Sequence, residues 1–206
     1  MSAVIRRRRL LLGAAALPWL GAVRARAAGD PESCRPVLGD DGLWHQPWFV
    51  ESFLVLREDL EEAAAEGKHL VLFWELAGCP YCKETHFVNF AREDICAFAQ
   101  EHFFWVQLDF IGAREVTDFD GEVTTEKALR AKYGIRFTPT IQFFPDDPAE
   151  LERRLAESGG HGGRHLEVAR MQGYLEPEPF LAMLRYVAEK AYERTTFDRY
   201  LLDLLG

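Results

Sequence analysis

Apolar and polar positions along this chain of 206 residues predict strands separated by helices. HLVLFW at 69–74 is a continuous apolar run bounded by Gly67 and Gly78, which is typical of a central strand covered on both faces of a sheet. Further strands are predicted at 103–110, 140–144 and 168–171.

Apolar residues at steps of three or four predict helices around these strands. The first helix is expected over 48–66 and ends before Gly67. Its apolar face consists of Phe49, Phe53, Leu56, Leu60 and Ala63. Later helical segments are predicted over about 80–90, 94–101, 125–134, part of 146–163, 178–194 and 195–205.

Two stretches predict irregular structure. Residues 112–124 form a loop or small hairpin that turns at Asp120-Gly121, and GGHGG at 159–163 predicts a flexible loop. The order of elements predicts an α/β fold, a mixed central sheet flanked by helices with an N-terminal helical lead-in, a small insertion and an extra C-terminal helix.

Composition supports a globular domain, since 48% of the residues are hydrophobic and 28% are charged. The net charge is −9, and the densest basic cluster, Arg6 to Arg9, is at the extreme N-terminus. Nucleic-acid binding through a basic face is therefore not expected.

The N-terminus has the layout of an export signal: arginines, an apolar run from Leu10 to Val23, and small residues before a cut expected after Ala27. The run of about 14 residues is short of the ~20 that span a bilayer, which favours a cleaved signal over an anchor. Arg7 and Arg8 resemble the twin-arginine export pattern, with general export as the alternative.

Cleavage would change the charge of the protein. Residues 1–27 hold six arginines and no acidic residue, so 18 basic and 33 acidic residues remain and the net charge becomes −15. The expected organisation is a signal at 1–27, a leader at 28–47 and one domain at 48–206. We expect a periplasmic location, where disulfides persist.

Cys79-Pro80-Tyr81-Cys82 follows the first predicted strand and begins the next helix. Two cysteines at this spacing can close a redox disulfide. Cys79 lies at the helix start, where free N–H groups stabilise a thiolate, so attack by Cys79 and resolution by Cys82 are expected. Tyr81 contacts partners, tunes the redox potential, or does both.

Thr138-Pro139 stands at the entrance of the strand predicted at 140–144, where a proline fits a cis peptide. An ordinary trans proline in a loop is the alternative for an isolated X-Pro pair.

Together these motifs resemble thioredoxins in order and spacing over residues 50–192. The residues that carry the resemblance are Phe73-Trp74, CPYC at 79–82, Lys83, YGIRFTPT at 133–140 and Gly173. Within that superfamily, CPYCKETHFVNF, the insertion REVTDFDGE and RFTPTIQFF are most similar to the exported thioredoxin-like proteins of bacterial sulfur-oxidation systems.

This resemblance implies a thioredoxin fold and a protein that cycles between dithiol and disulfide without a cofactor. It also implies protein thiols and disulfides as partners, with a membrane electron donor of the CcdA type. Thr138 and Pro139, with Pro80 and Tyr81, would shape the partner-binding edge beside the sulfurs.

The sequence departs from thioredoxins in two places. Leu72 stands where thioredoxins have a buried aspartate, so another group, or water, must accept the proton of Cys82. Glu75 is a candidate, although a solvated surface carboxylate is the favoured interpretation. One extra residue between Trp74 and Cys79 gives the nucleophile a different rim.

Three further features leave alternatives open. His86, four residues after Cys82, could modulate the thiols or bind a metal, but a partly exposed packing histidine is favoured. Cys34 and Cys96 could form a structural disulfide, two separate buried cysteines or a second redox relay. Trp44, Trp48, Trp105 and Phe103 could form a core or a binding platform, and the core is favoured.

The function most consistent with these residues is an exported thiol–disulfide oxidoreductase that keeps partner thiols reduced. The alternatives are a disulfide oxidase or isomerase of secreted proteins, and a copper-binding metallochaperone that uses Cys79, Cys82 and His86.

Overall fold

The computed structural model describes residues 33–205, so the expected export signal lies outside the described residues. The strands are β1 (Val37–Leu38), β2 (Trp44–His45), β3 (His69–Glu75), β4 (Phe103–Asp109), β5 (Glu115–Thr117), β6 (Val123–Thr125), β7 (Thr140–Phe143) and β8 (Ala169–Gln172). The α-helices are α1 (Leu56–Ala65), α2 (Pro80–Glu84), α3 (Glu93–His102), α4 (Glu126–Lys132), α5 (Pro148–Glu157), α6 (Pro177–Ala188) and α7 (Phe197–Leu205). Within residues 33–205, no helix has the length and apolar character needed to cross a membrane.

The central sheet has the strand order β4-β3-β7-β8. β3 runs parallel to β4 and antiparallel to β7, and β7 runs antiparallel to β8. Every residue of β3 is buried, as expected for a central strand covered on both faces. The mixed sheet and its flanking helices form the predicted thioredoxin fold.

Alternate residues of β3 build two cores, because successive side chains point to opposite faces of a sheet. Leu72 and Trp74 pack on the face covered by α1, α4 and α5. Val71 and Phe73 pack on the other face, against α3 and α6. Glu75, at the end of β3, shares the face of Phe73.

The predicted insertion is a hairpin of β5 and β6, and a second hairpin, β1 with β2, lies in the leader. The predicted helix over 48–66 is wrong in its first half, because α1 begins only at Leu56. Phe49 packs on one face of the sheet and Leu56 on the other, so the intervening chain crosses the edge of β4 outside a helix. Val50 N–H donates to Trp105 O there, and Phe53 is 96% exposed rather than inward.

The helix predicted over 178–194 is also too long. α6 ends at Ala188, and Lys190 takes a left-handed conformation with φ of 51°. The chain then reverses, so that α7 packs back on α6 through contacts of Phe197 and Tyr200 with Tyr186.

Candidate redox site

Cys79 and Cys82 lie where β3 gives way to α2. Gly78, with φ of +77°, turns the chain, and Pro80 takes the first helical position. The backbone N–H of Cys82 donates to Cys79 Sγ at 3.2 Å. Because an N–H donated to sulfur favours the thiolate, this contact supports Cys79 as the nucleophile.

The two cysteines differ in access to solvent. Cys82 is 3% exposed, whereas Cys79 is half-buried, and the structure pairs them as a disulfide with their Cα atoms 5.3 Å apart. The Cys79 sulfur can react with a partner protein, whereas the Cys82 sulfur faces the protein interior.

The loop before β7 lies against the Cys79 sulfur. The Thr138-Pro139 peptide is cis, and the Cys79 sulfur is 3.7 Å from the carbonyl oxygen of Thr138. Gly173 N–H donates to Pro139 O at 2.8 Å, which ties this loop to the end of β8. The fold thus brings Cys79, Cys82, Thr138 and Pro139 to one place from segments 59 residues apart.

Glu75 is buried, with only 1% of its surface exposed, which corrects the expectation of a solvated surface carboxylate. Both of its carboxylate oxygens lie 3.0 Å from His86 Nε2, and Gln107 Nε2 donates to one of them. A carboxylate is kept inside a protein only with such partners.

His86 is also fully buried, so the prediction of a partly exposed histidine is wrong. It lies in a π-helical turn, Thr85–Asn89, that follows α2. The π-helical turn is closed by Phe90 N–H donating to Thr85 O at 3.0 Å and is wider than an α-helical turn. Its side chains therefore point in directions that differ from those of the regular helix expected over 80–90.

Burial raises the pKa of Glu75, while the hydrogen bonds from His86 and Gln107 oppose that rise. Glu75 lines a cavity of about 240 Å³ together with Cys79 and Cys82. A carboxyl group with a raised pKa beside two cysteines can take up and return a proton.

The leader forms part of the cavity wall. Gly42, Leu43 and Trp44 line the same cavity as the cysteines. Gln46 Nε2 lies 3.2 Å from His86 Nδ1, and Gln107 Nε2 donates to Trp44 O at 2.8 Å. Trp44, expected in the core, instead lies at this wall and remains partly exposed.

Cys34 and Cys96 are joined as a disulfide in the structure, with Cα atoms 6.0 Å apart, a separation ordinary for such a bond. Both are buried, and the bond connects the leader to α3. This pairing corresponds to the first of the three interpretations of these cysteines.

Aromatic side chains surround the mouth of the site. Tyr81 is 56% exposed and stacks on Tyr174, with ring centroids 6.2 Å apart. Phe137 is exposed, and Lys83 Nζ lies 5.5 Å above the ring of Phe87. The site therefore presents an apolar rim, with the Lys83 cation over Phe87.

Sequence reasoning missed Gln46, Gln107 and the aromatic residues Phe87 and Tyr174. Gln107 had a signal, since it is a polar residue inside the apolar run FFWVQLDF. Gln46 had none, because its partner His86 is 40 residues away.

Comparison with known proteins supports the fold. Residues 56–155 match the family model described as a thioredoxin-like domain. A thioredoxin-fold protein from Helicobacter pylori is 18% identical, with a TM-score of 0.50 over 74% of this chain and 91% of that one. A search of curated proteins found no match.

Two other solved structures are similar at lower scores. A thioredoxin from Thermus thermophilus is 20% identical, with a TM-score of 0.46 over 66% of this chain and 85% of that one. The DsbH oxidoreductase is 16% identical, with a TM-score of 0.41 over 66% and 82%. The chain thus has the thioredoxin fold and carries a thioredoxin-like domain over residues 56–155.

Proposed function

We propose that the protein is a thiol–disulfide oxidoreductase that reduces disulfides of partner proteins with the dithiol of Cys79 and Cys82. The observation that carries this proposal is the position of the pair: a half-buried Cys79 at a helix start, beside the Thr138-Pro139 loop, with Cys82 behind it.

The proposed reaction has two exchange steps. The Cys79 thiolate attacks a partner disulfide, which forms a mixed disulfide and releases one partner thiolate. Cys82 then loses its proton, and its thiolate attacks the Cys79 sulfur. The second partner sulfur leaves as a thiolate, the Cys79–Cys82 disulfide closes, and two electrons have passed to the partner. The buried carboxylate of Glu75 is the acceptor we assign to the Cys82 proton.

We extend the proposal to the setting of the reaction. The signal-like N-terminus supports export to the periplasm, and the motif resemblance supports a role like that of SoxW, the thioredoxin-like protein of sulfur-oxidation (Sox) systems. A membrane electron donor of the CcdA type would then return the Cys79–Cys82 disulfide to the dithiol. N-terminal sequencing of periplasmic protein should find a start near Ala28, and retention of Met1 would contradict export with cleavage.

The copper-binding alternative is less favoured by the geometry. His86 Nε2 faces Glu75, and His86 Nδ1 faces Gln46, so both imidazole nitrogens already have partners. An oxidase would use the same cysteines with electrons flowing in the other direction, and an isomerase would use them with no net transfer of electrons.

The reduction potential of the purified protein against glutathione tests the direction of electron flow. A reductant should lie near the thioredoxin end of the range, about −270 mV, and an oxidase near about −120 mV. A Cys79→Ser variant should have no dithiol-dependent disulfide-reducing activity. Activity that survives this substitution would refute the redox function.

A further inference from the structure

The leader supplies one buried polar side chain to the pair of Glu75 and His86. Gln46 is 2% exposed, and its Nε2 lies 3.2 Å from His86 Nδ1 and 3.5 Å from the His86 carbonyl oxygen. A carbonyl oxygen can only accept a hydrogen bond, so the NH₂ side of the Gln46 amide faces His86. The same NH₂ group therefore donates its second hydrogen to Nδ1.

This contact decides where the imidazole carries its proton. A ring nitrogen that accepts a hydrogen bond has no proton of its own, so Nδ1 of His86 is bare and the proton is on Nε2. Nε2 is the atom that lies 3.0 Å from both carboxylate oxygens of Glu75. His86 is thus a neutral donor to Glu75 and not a cation beside it.

We propose that Gln46 is a positioning residue of the redox site, which holds His86 in the neutral Nε2–H tautomer so that Glu75 exchanges the proton with the cysteines. The proton-exchange part rests on the proposed dithiol chemistry, whereas the tautomer itself does not.

The surroundings of Glu75 fit this assignment. His86 faces it from the π-helical turn, His45 acts on it from β2, and Asp109 is its register partner on β4. Lys83 of α2 lines the same cavity. Burial raises the pKa of Glu75. Because His86 is neutral, it opposes that rise only with its dipole and its hydrogen bonds, and not with a full charge.

Anchoring of the leader does not account for this contact. The leader is already held by the Cys34–Cys96 bond and by Gln107 donating to Trp44 O. A purely structural Gln46 could be replaced without any change in the protonation of His86, so the test must measure protonation.

The direct test is NMR of the purified protein labelled with ¹⁵N-histidine, with the His86 signals assigned by a His86→Asn variant. We expect the Nε2–H tautomer at neutral pH in the unsubstituted protein. In Gln46→Glu a carboxylate faces Nδ1, so both ring nitrogens should carry protons. Gln172→Glu adds the same charge at an exposed site and should leave His86 unchanged.

The kinetic readout is the pH profile of mixed-disulfide resolution by Cys82. An imidazolium beside Glu75 lowers the pKa of that carboxyl, so Gln46→Glu should move the midpoint of the profile to lower pH by about one unit. If this variant does not fold, the tautomer of the unsubstituted protein still decides the proposal.

An Nδ1–H tautomer or an imidazolium in the unsubstituted protein would overturn the proposal. A Gln46→Glu variant with the expected protonation but an unshifted pH profile would overturn the role of the pair in the reaction. Absence of any thiol–disulfide exchange in the unsubstituted protein would instead refute the proposed function and leave the tautomer assignment standing.

Discussion

His86 Nε2 lies 3.0 Å from both carboxylate oxygens of Glu75, and the two side chains are 0% and 1% exposed. His86 lies in the π-helical turn that follows the helix carrying the cysteines, and Glu75 lines their cavity. A buried acid therefore stands beside the sulfurs in a chain that has Leu72 at the usual position of a buried aspartate in thioredoxins.

Replacement of Glu75 by Gln should slow the resolution of mixed disulfides at neutral pH by roughly 10²-fold, because the proton acceptor for Cys82 is lost while the size of the side chain is kept. Rapid-mixing kinetics over a pH range would measure the effect. Glu101→Gln, which makes the same substitution at an exposed position of α3, should retain the rate and pH profile of the unsubstituted protein. An unchanged rate in Glu75→Gln would exclude Glu75 as the acceptor.

Substitution of the cysteines one at a time should separate their roles. Cys82→Ser should accumulate stable mixed disulfides with partner proteins, since Cys79 attacks and nothing resolves the product. Cys79→Ser should trap few or none, because Cys82 is only 3% exposed. Non-reducing gels of each variant with its partner proteins measure both outcomes, and the reverse pattern would exchange the assigned roles.

Loss of the Cys34–Cys96 bond should destabilise the protein and loosen the leader. The bond joins positions 62 apart in sequence, for which the chain-entropy model gives an upper figure of roughly 4 kcal/mol. Denaturant unfolding of Cys34→Ser with Cys96→Ser would measure the loss. The matched pair Cys79→Ser with Cys82→Ser opens a much shorter loop and should cost less.

Peptide mapping tests the same bond without substitution. The oxidised protein should contain no thiol available for alkylation at Cys34 or Cys96. Alkylation of both residues in the absence of a reductant would reject the bond.

Asp59 should make the stability of the protein depend on pH. Burial raises its pKa to about 6, against the hydrogen bond from Ser52, and in the unfolded chain the value is 3.8. The folded protein therefore binds the proton more tightly, and stability falls as pH rises from about 4 through about 6, by up to about 3 kcal/mol.

Asp59→Asn should abolish this fall and be more stable than the unsubstituted protein at pH 7, as measured by denaturant unfolding across that range. Glu61→Gln, at an exposed position of α1 whose charge does not act on Asp59, should preserve the fall. A parallel pH dependence in Asp59→Asn and the unsubstituted protein would show that another group is responsible.

Several features followed from the sequence because their causes are local. The apolar run at 69–74 predicts a strand covered on both faces, whatever its neighbours are. Cys79, Pro80 and Cys82 predict a helix start at which the two sulfurs can bond to each other. This geometry is local, because only the three-residue spacing of the cysteines decides it. The hairpin at Asp120-Gly121 likewise depends on the turn alone.

The interior of the site depended on tertiary structure. Glu75, His86 and Gln46 come from a strand, a π-helical turn and the leader, and the sequence pattern favoured solvent exposure for the first two. Whether a carboxylate at a strand end is solvated or buried depends on what covers it, and here the cover is a leader linked to α3 by Cys34 and Cys96. Local sequence thus determined the strand, the helix start and the reactive pair. Long-range packing decided which polar groups were removed from solvent and hydrogen-bonded to one another.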